Sequence, residues 1–195
     1  VGLDIGIKTF ATLSDGNIIE NPKFLKKSLK KLKKLSRRHS KKKKESNNRE
    51  KSRIKLAKLH EKVTNQRQDF LNKTSKSLID NYNTICLETL KAKDMMKNHR
   101  LTQALSDISI GTFNQMMNYK AQFYGKNILR CGQFEPSSKL CNCGVKNENL
   151  TLNQRTWKCD NCGETHNRDF LAANNIKKFC FINQNTVGTT EIQAC

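Results

Sequence analysis

Two pairs of closely spaced cysteines are the residues of this sequence best suited to bind a metal. Cys141 and Cys143 form the first pair, Cys159 and Cys162 form the second, and each pair is followed by a glycine. Each pair can present two thiolates beside backbone N–H groups, and four thiolates provide the tetrahedral sulfur set that Zn²⁺ accepts at structural sites. The spacing therefore predicts a zinc ribbon over residues 137–166.

The two pairs differ in length, and this bears on how the metal is held. The second pair is a regular C-x-x-C, whereas the first has one residue fewer between its cysteines. Either the site is strained or one ligand is replaced, and His166 is the nearest spare ligand. We expect Trp157, two residues before the second pair, to cover the metal. The alternative is that the four thiols are free and buried.

Three acidic residues could form a second, harder metal site. Asp4 lies in a strand-like apolar run, Glu88 ends another, and Asp169 precedes a helix-like segment. Acids at the ends of neighbouring strands can meet one from a packed helix at the carboxyl edge of a sheet. Such a cluster binds two Mg²⁺ ions about 4 Å apart and can hydrolyse phosphodiesters. Taken singly, each acid is more typical of a turn or a helix cap.

Apolar periodicity predicts the elements that would position these residues. Alternating or short apolar runs predict strands at 1–7, 10–13, 17–20, 84–88 and 127–131, with a tight turn at 14–16. Helical spacing predicts a long basic hairpin of two helices over 23–80, and further helices at 113–124 and 168–180. Residues 89–108 are expected to be a loop with short helices, and 181–195 a polar tail without an element.

Charge is concentrated in one part of the chain. Of a net +20, most lies in residues 23–62, which hold 19 Lys and Arg against 3 Asp and Glu. A charge of this density favours nucleic acid over an anionic membrane, because the stretch has no aromatic apolar face. We expect contacts to nucleic acid from Lys30, Lys34, Arg37, Arg38, Lys41, Lys42, Arg53 and Arg67.

The remaining composition indicates an intracellular protein. The sequence has no signal peptide and no apolar run of membrane-spanning length, and its other four cysteines are scattered singles. These features favour a reducing, cytoplasmic compartment, with the protein at the nucleoid when it is bound to DNA. Val1 enters a strand directly without an initiator Met, which favours an excised domain or a truncated product.

Longer motifs around the three acids resemble the TnpB (OrfB) proteins of insertion sequences, relatives of type V CRISPR effectors. VGLDIGIKTFAT at 1–12 matches the first RuvC-like motif of that family, and ICLETL at 85–90, followed by KAKDM, matches the second. HNRDFLAA at 166–173 resembles the third, which is usually HDRDxNAA. LHEKVTNQRQDFL at 59–71 resembles the bridging helix, and PSSKLC at 136–141 with RTWKC at 155–159 resembles the flanks of the zinc ribbon.

The resemblance covers essentially the whole chain and carries several implications. It implies an α/β RNase H-like (RuvC-like) fold with a mixed sheet, at 1–136 and 167–180, into which the helical hairpin and the zinc ribbon are inserted. It also implies a Mg²⁺-dependent endonuclease that uses Asp4, Glu88 and Asp169 and is guided by RNA to cut DNA. The family's N-terminal half is absent, and Asn167 and Leu171 depart from the third motif.

Two other functions stay open at this point. A truncated, catalytically inactive protein that still binds nucleic acid is consistent with the missing half and the altered motif. A DNA-joining transposase could use the same carboxylate chemistry, although the family resemblance implies cutting.

Overall fold

The computed structural model describes residues 1–90, 99–132, 135–151 and 153–190, with the backbone alone at 99–100 and 185–190. Its main element is a five-stranded sheet of order β3-β2-β1-β4-β5. The strands are β1 (Gly2–Ile5), β2 (Thr9–Leu13), β3 (Ile18–Glu20), β4 (Thr84–Glu88) and β5 (Asn127–Cys131). The first three strands are antiparallel, and β4 and β5 run parallel to β1, so the predicted mixed α/β fold is confirmed.

Five helices accompany this sheet in the described part of the chain. They are α1 (Phe24–Ser40), α2 (Asn47–Asn81), α3 (His99–Ile108), α4 (Ile110–Phe123) and α5 (Arg168–Thr190). The predicted helical hairpin is confirmed, since α1 packs along α2. Ser46 caps α2 by accepting a hydrogen bond from the backbone N–H of Arg49 at 3.2 Å, which stabilises the start of this long helix.

The sheet is covered on both faces by different helices. On one face, Leu3, Ile85 and Leu87 belong to a fully buried core with Phe10 and Phe113, beneath α2 and α4. Alternation along a strand turns Gly2, Asp4 and Glu88 to the opposite face, where α5 packs. This arrangement separates the main core from the face that carries the acids.

The contact between β1 and α5 depends on Gly2. A Cβ at this position would lie 2.1 Å from the carbonyl oxygen of Ala173 and 2.9 Å from Lys177 Cβ. The absence of a side chain therefore lets α5 approach the sheet closely, and Asp169 is brought to the sheet by this same helix.

A small two-stranded sheet forms the inserted ribbon. It pairs β6 (Thr156–Lys158) with β7 (Thr165–Asn167) in antiparallel register, so that Trp157 lies opposite His166. The last residue of β7 is followed directly by α5. Ribbon and helix are therefore continuous along the chain.

One prediction about helices was wrong, because α5 does not end at 180 but continues to Thr190. In the predicted loop with short helices, residues 99–108 form the short helix α3. Leu105 and Ile108 of α3 are buried, so tertiary packing supports this short helix. The part of the polar tail at 191–195, and residues 91–98 of the predicted loop, lie outside the described residues. No helix among the described residues is long and apolar enough to cross a membrane.

Candidate metal and nucleic-acid sites

Asp4 and Glu88 lie side by side at the carboxyl ends of two neighbouring strands. Leu3 of β1 pairs with Leu87 of β4 in parallel register, so the next residue of each strand is one of the two acids. Equal positions in parallel register turn their side chains to the same face. The predicted convergence of these two acids at one sheet edge is therefore present, and both are half-buried.

Asp169 reaches this edge from the first turn of α5. Asn167 caps the helix, because its Oδ1 accepts the backbone N–H groups of Asp169 and Phe170, both at 3.1 Å. Asn and Asp are equivalent as capping residues, so the departure from the third motif at Asn167 keeps the helix start intact.

The pKa of Asp4 reflects the two acids beside it. It is raised from 3.8 to about 7, mainly by burial and then by the charges of Glu88 and Asp169, while the charges of Arg168 and Arg155 oppose the rise. Burial also raises the pKa of Glu88. Clustered carboxylates whose repulsion is only partly offset by nearby cations are a donor set that fits a hard divalent cation such as Mg²⁺.

Two further residues contact the acids and were not found from the sequence. Arg155, in the ribbon, donates from one guanidinium nitrogen to both carboxylate oxygens of Asp169 at 2.9 and 3.0 Å. The hydroxyl of Ser137 donates to Glu88 Oε1 at 2.9 Å. Both contacts join residues far apart in the sequence, and no local pattern signals them.

A cleft of about 770 Å³ opens beside Asp4 and Asp169, between the sheet edge and helices α1 and α3. Basic side chains line it together with apolar ones, and they are Lys8, Lys23, Lys26, Arg155 and Arg168. A concave surface of this kind can hold an anionic chain next to the carboxylates.

The four predicted cysteines are brought together in the ribbon. The sulfur atoms of Cys141, Cys143, Cys159 and Cys162 all lie within 4.8 Å of one another, a cluster that could hold a zinc ion. The shorter first pair closes through a turn in which Gly144 has a φ of 88° and donates to the Cys141 carbonyl at 3.0 Å. The shortened pair therefore still brings its two thiols into the cluster.

Within the first pair, Cys143 shows the electrostatics expected of a metal ligand, whereas burial raises the pKa of Cys141 to about 12. A hydrogen bond from the backbone N–H of Val145 is the main cause that lowers the pKa of Cys143 to about 6. A thiol that ionises this readily is prepared to bind a metal cation.

The surroundings of the cysteines agree with the predicted cover. Trp157 is buried and packs with Cys141, Cys159 and Leu171, so the apolar Leu171 of the altered third motif joins α5 to the ribbon. His166 is also buried, and its Nε2 lies 3.0 Å from Cys141 Sγ. His166 is thus close enough to replace one of the thiolates as a metal ligand. Together with Cys141 and Glu164 it forms a second group of side chains that could hold a metal ion.

Most of the basic residues expected to contact nucleic acid are exposed on the helical hairpin. These are Lys30, Lys34, Arg37, Arg38, Lys41, Lys42 and Arg53. Arg53 is paired with Glu50 at 2.6 Å. Arg67 differs, because it is only partly exposed and bonds Asp107 at 3.3 Å. Asp107 also accepts the backbone N–H of Leu25, so Arg67 helps to fix the start of the hairpin.

Comparison with known proteins identifies the family. The model of the OrfB family of IS605 elements, described as "Probable transposase", matches residues 1–99, and that of the Cas12f1-like TNB domain matches residues 111–176. A relative from Streptomyces pristinaespiralis, named "Putative RNA-guided DNA endonuclease", is 41% identical over 177 residues, which are 90% of this chain and 44% of the relative. InsQ of Escherichia coli K12, which carries the same description, is 32% identical over 191 residues, covering 90% of this chain and 48% of that protein.

Solved structures show the same fold. A CRISPR-Cas12f ternary complex matches with a TM-score of 0.66 at 19% identity over 90% of this chain and 37% of that one. A Cas12f1–sgRNA–target DNA complex matches with a TM-score of 0.61 at 20% identity over 90% of this chain and 48% of that one. The chain spans less than half of the length of these curated relatives. By its sequence and its fold, it belongs to the IS605 OrfB family, the TnpB proteins.

Proposed function

We propose that this chain is the RuvC-like nuclease domain of an RNA-guided DNA endonuclease. The proposal is supported by the adjoining positions of Asp4 and Glu88 on β1 and β4 and by the raised pKa of Asp4, to which the charges of Glu88 and of Asp169 on α5 contribute. A carboxyl whose pKa is strongly raised by burial and by neighbouring acids, beside a cleft, is typical of an active site.

Asp4, Glu88 and Asp169 would hold two Mg²⁺ ions. When bound, these cations supply a nucleophilic water and stabilise the charge that develops on the scissile phosphate. The residues of the chain itself orient the DNA: Arg155 and Arg168 at the cleft place positive charge beside the carboxylates, where a phosphate of the cut strand would lie.

The four cysteines of the ribbon would hold one structural Zn²⁺. Zinc in a closed four-thiolate site stabilises a small domain that has almost no core of its own. Here it would fix β6, β7 and the intervening turn, and hence the position of Arg155.

DNA and a guide RNA are the proposed partners. Both similar solved structures are Cas12f complexes, and one is described as containing sgRNA and target DNA. The exposed lysines and arginines of the α1–α2 hairpin would contact the phosphate backbone without reading sequence, and pairing between guide and target would supply specificity.

Cleavage by acid-to-alanine variants tests this proposal. In the complete protein, loaded with its guide, Asp4→Ala and Glu88→Ala are expected to abolish Mg²⁺-dependent DNA cleavage and to leave guide binding largely intact. Asp69→Ala is a matched control, since Asp69 is an exposed acid on α2 that pairs with Lys73. Retained cleavage in Asp4→Ala or Glu88→Ala would contradict the assignment.

The same assay separates the other functions. Binding without cleavage by the wild-type protein would indicate a non-catalytic nucleic-acid-binding protein. Joined DNA products would indicate a transposase that acts directly on DNA ends.

A further inference from the structure

A buried asparagine on α5 holds the segment that leads into the zinc ribbon. Asn175 is only 1% exposed, and its Nδ2 donates to the carbonyl oxygens of Ser137 and Leu140 at 2.8 and 2.7 Å. A buried amide destabilises a fold unless its hydrogen bonds are made. Both N–H groups of Asn175 are used here, so this side chain fixes the turn at 137–140 against the helix.

The same turn contacts one of the candidate metal ligands. Ser137, itself 7% exposed, donates its hydroxyl proton to Glu88 Oε1 at 2.9 Å. Asn175 therefore bonds the backbone of the residue whose side chain bonds Glu88. It also lies on the helix whose first turn carries Asp169.

We propose that Ser137 and Asn175 are positioning residues that set the orientation of Glu88 for binding a divalent cation. This inference rests on the proposed function. A glutamate side chain has three rotatable bonds, and a donor held at a fixed place selects one orientation and leaves Oε2 for the metal. Hydrogen bonds to the ligands of a metal tune its affinity in this way.

The turn also links the two metal sites. Leu140 directly precedes Cys141, the first cysteine of the ribbon, and Cys141 Sγ belongs to the four-thiol cluster. Ser137, at one end of the segment 137–141, contacts Glu88, and Cys141, at the other end, belongs to the four-thiol cluster. Folding of the ribbon and orientation of Glu88 depend on the same five residues.

Calorimetric titration of the purified, zinc-loaded chain with Mn²⁺ tests the proposal without requiring cleavage. Ser137→Ala removes the donor and almost no volume, and it is expected to weaken Mn²⁺ binding about tenfold or more, the usual effect of losing a residue that bonds a metal ligand. Ser137→Thr keeps the hydroxyl and is expected to bind close to the wild type. Asn175→Asp, which loses both N–H donors, is expected to weaken binding in the same direction.

Asn174→Ala is the matched control on the same helix. Its side chain donates to the carbonyl of Phe170, one turn earlier in α5, so Mn²⁺ affinity is expected to stay at the wild-type value. The melting temperature of every variant is measured in parallel. If Asn175→Asp does not fold, the comparison of Ser137→Ala with Ser137→Thr decides alone.

The outcomes distinguish failure of this inference from failure of the proposed function. Wild-type affinity in Ser137→Ala, or equal losses in the Ala and Thr variants with matching falls in melting temperature, would overturn the positioning role. Glu88→Gln is included to define the site. If it binds Mn²⁺ as well as the wild type does, the carboxylate site itself is wrong, and the proposed function falls with it.

Discussion

Arg155 of the zinc ribbon and Asp169 of the third motif form an ion pair in which one guanidinium nitrogen lies 2.9 and 3.0 Å from the two carboxylate oxygens. The arginine thus occupies the position in which a divalent cation would approach this acid. A protein cation and a metal cation compete for the same oxygens.

Loss of Arg155 is therefore expected to strengthen metal binding. Arg155→Ala should raise the affinity of the chain for Mn²⁺ by up to roughly fivefold, since a partly exposed ion pair contributes at most about 1 kcal/mol. Arg155→Lys retains the charge and should change the affinity less. Calorimetric titration measures both, and a lower affinity in Arg155→Ala would mean that the arginine organises the site instead of competing for it.

Stability without metal is expected to depend on the ionisation of Asp4. The pKa of this carboxyl is raised from 3.8 to about 7 by burial and then by Glu88 and Asp169. A group whose pKa is raised by folding contributes its full stability below the unfolded value, and this contribution is lost as the pH rises through about 7. For the zinc-loaded chain in buffer without Mg²⁺ or Mn²⁺, the melting temperature of the wild type should therefore fall between about pH 4 and pH 7 relative to that of Asp4→Asn.

Metal binding should show the opposite pH dependence. Because the ionised acid is the ligand, the affinity for Mg²⁺ is expected to increase as the pH rises through 7. Parallel pH profiles for the wild type and Asp4→Asn would contradict the assignment of this titration to Asp4.

Nucleic-acid binding by the helical hairpin should weaken steeply with salt. A plot of the logarithm of the binding constant against the logarithm of the salt concentration has a slope of about −0.9 for each phosphate that the protein neutralises. Changing Lys30, Lys34, Arg37 and Arg38 together to Gln should reduce the slope by up to about 3.6. Fluorescence anisotropy with a labelled duplex measures this.

Arg67→Gln is the control for the hairpin, since it removes one positive charge from α2 that is bonded to Asp107 and only partly exposed. It should leave the salt slope unchanged, although the melting temperature can fall. A slope insensitive to the four substitutions would remove the hairpin from the binding surface.

Gly2→Ala is expected to destabilise the fold because its Cβ would meet the carbonyl oxygen of Ala173 at 2.1 Å. Forced overpacking of this kind costs about 1–3 kcal/mol, measured as the change in the free energy of unfolding in urea. Gly111→Ala is the matched control, since nothing lies within 4 Å of a Cβ there, and it should be neutral or stabilising. Equal stability of the two variants would contradict the close approach of α5 to β1.

Trp157 provides a direct readout of metal in the ribbon. It is the only tryptophan of the chain, and it is 4% exposed and packed on Cys141 and Cys159. Removing zinc with a strong chelator should unfold the ribbon and shift the emission of Trp157 to longer wavelengths, and added zinc should restore it. An emission spectrum unchanged by the chelator would mean that the ribbon folds without metal.

The sequence predicts those parts of the structure that local pattern determines. Alternation and turn residues are sufficient for the strands of the sheet, and the paired cysteines are sufficient for the ribbon. Helix α3 is one of the short helices expected within 89–108, and Leu101, Leu105 and Ile108 recur in it at helical spacing. The extension of α5 was not, because Phe181 and Ile182 are exposed and give no apolar stripe.

The candidate site shows where such prediction ends. The motifs identify Asp4, Glu88 and Asp169 as candidate metal ligands, but they do not identify the residues that contact these acids. Ser137 and Glu88 are 49 positions apart, and Asn175 reaches back 38 positions to Ser137. Contacts of this kind arise only when the sheet, the ribbon and α5 have been assembled, and a serine or an asparagine gives no local sign of them.

The length of α2 has a consequence for how nucleic acid can be accommodated. A helix of 35 residues extends about 52 Å at 1.5 Å per residue. The N-terminal half of α2 is the more basic, while its C-terminal half carries Leu71, Leu78 and Ile79 of the main core. Duplex rises about 3.4 Å per base pair, so the helix could lie along about 15 base pairs. A duplex bound along the hairpin would therefore contact the protein over well more than one helical turn.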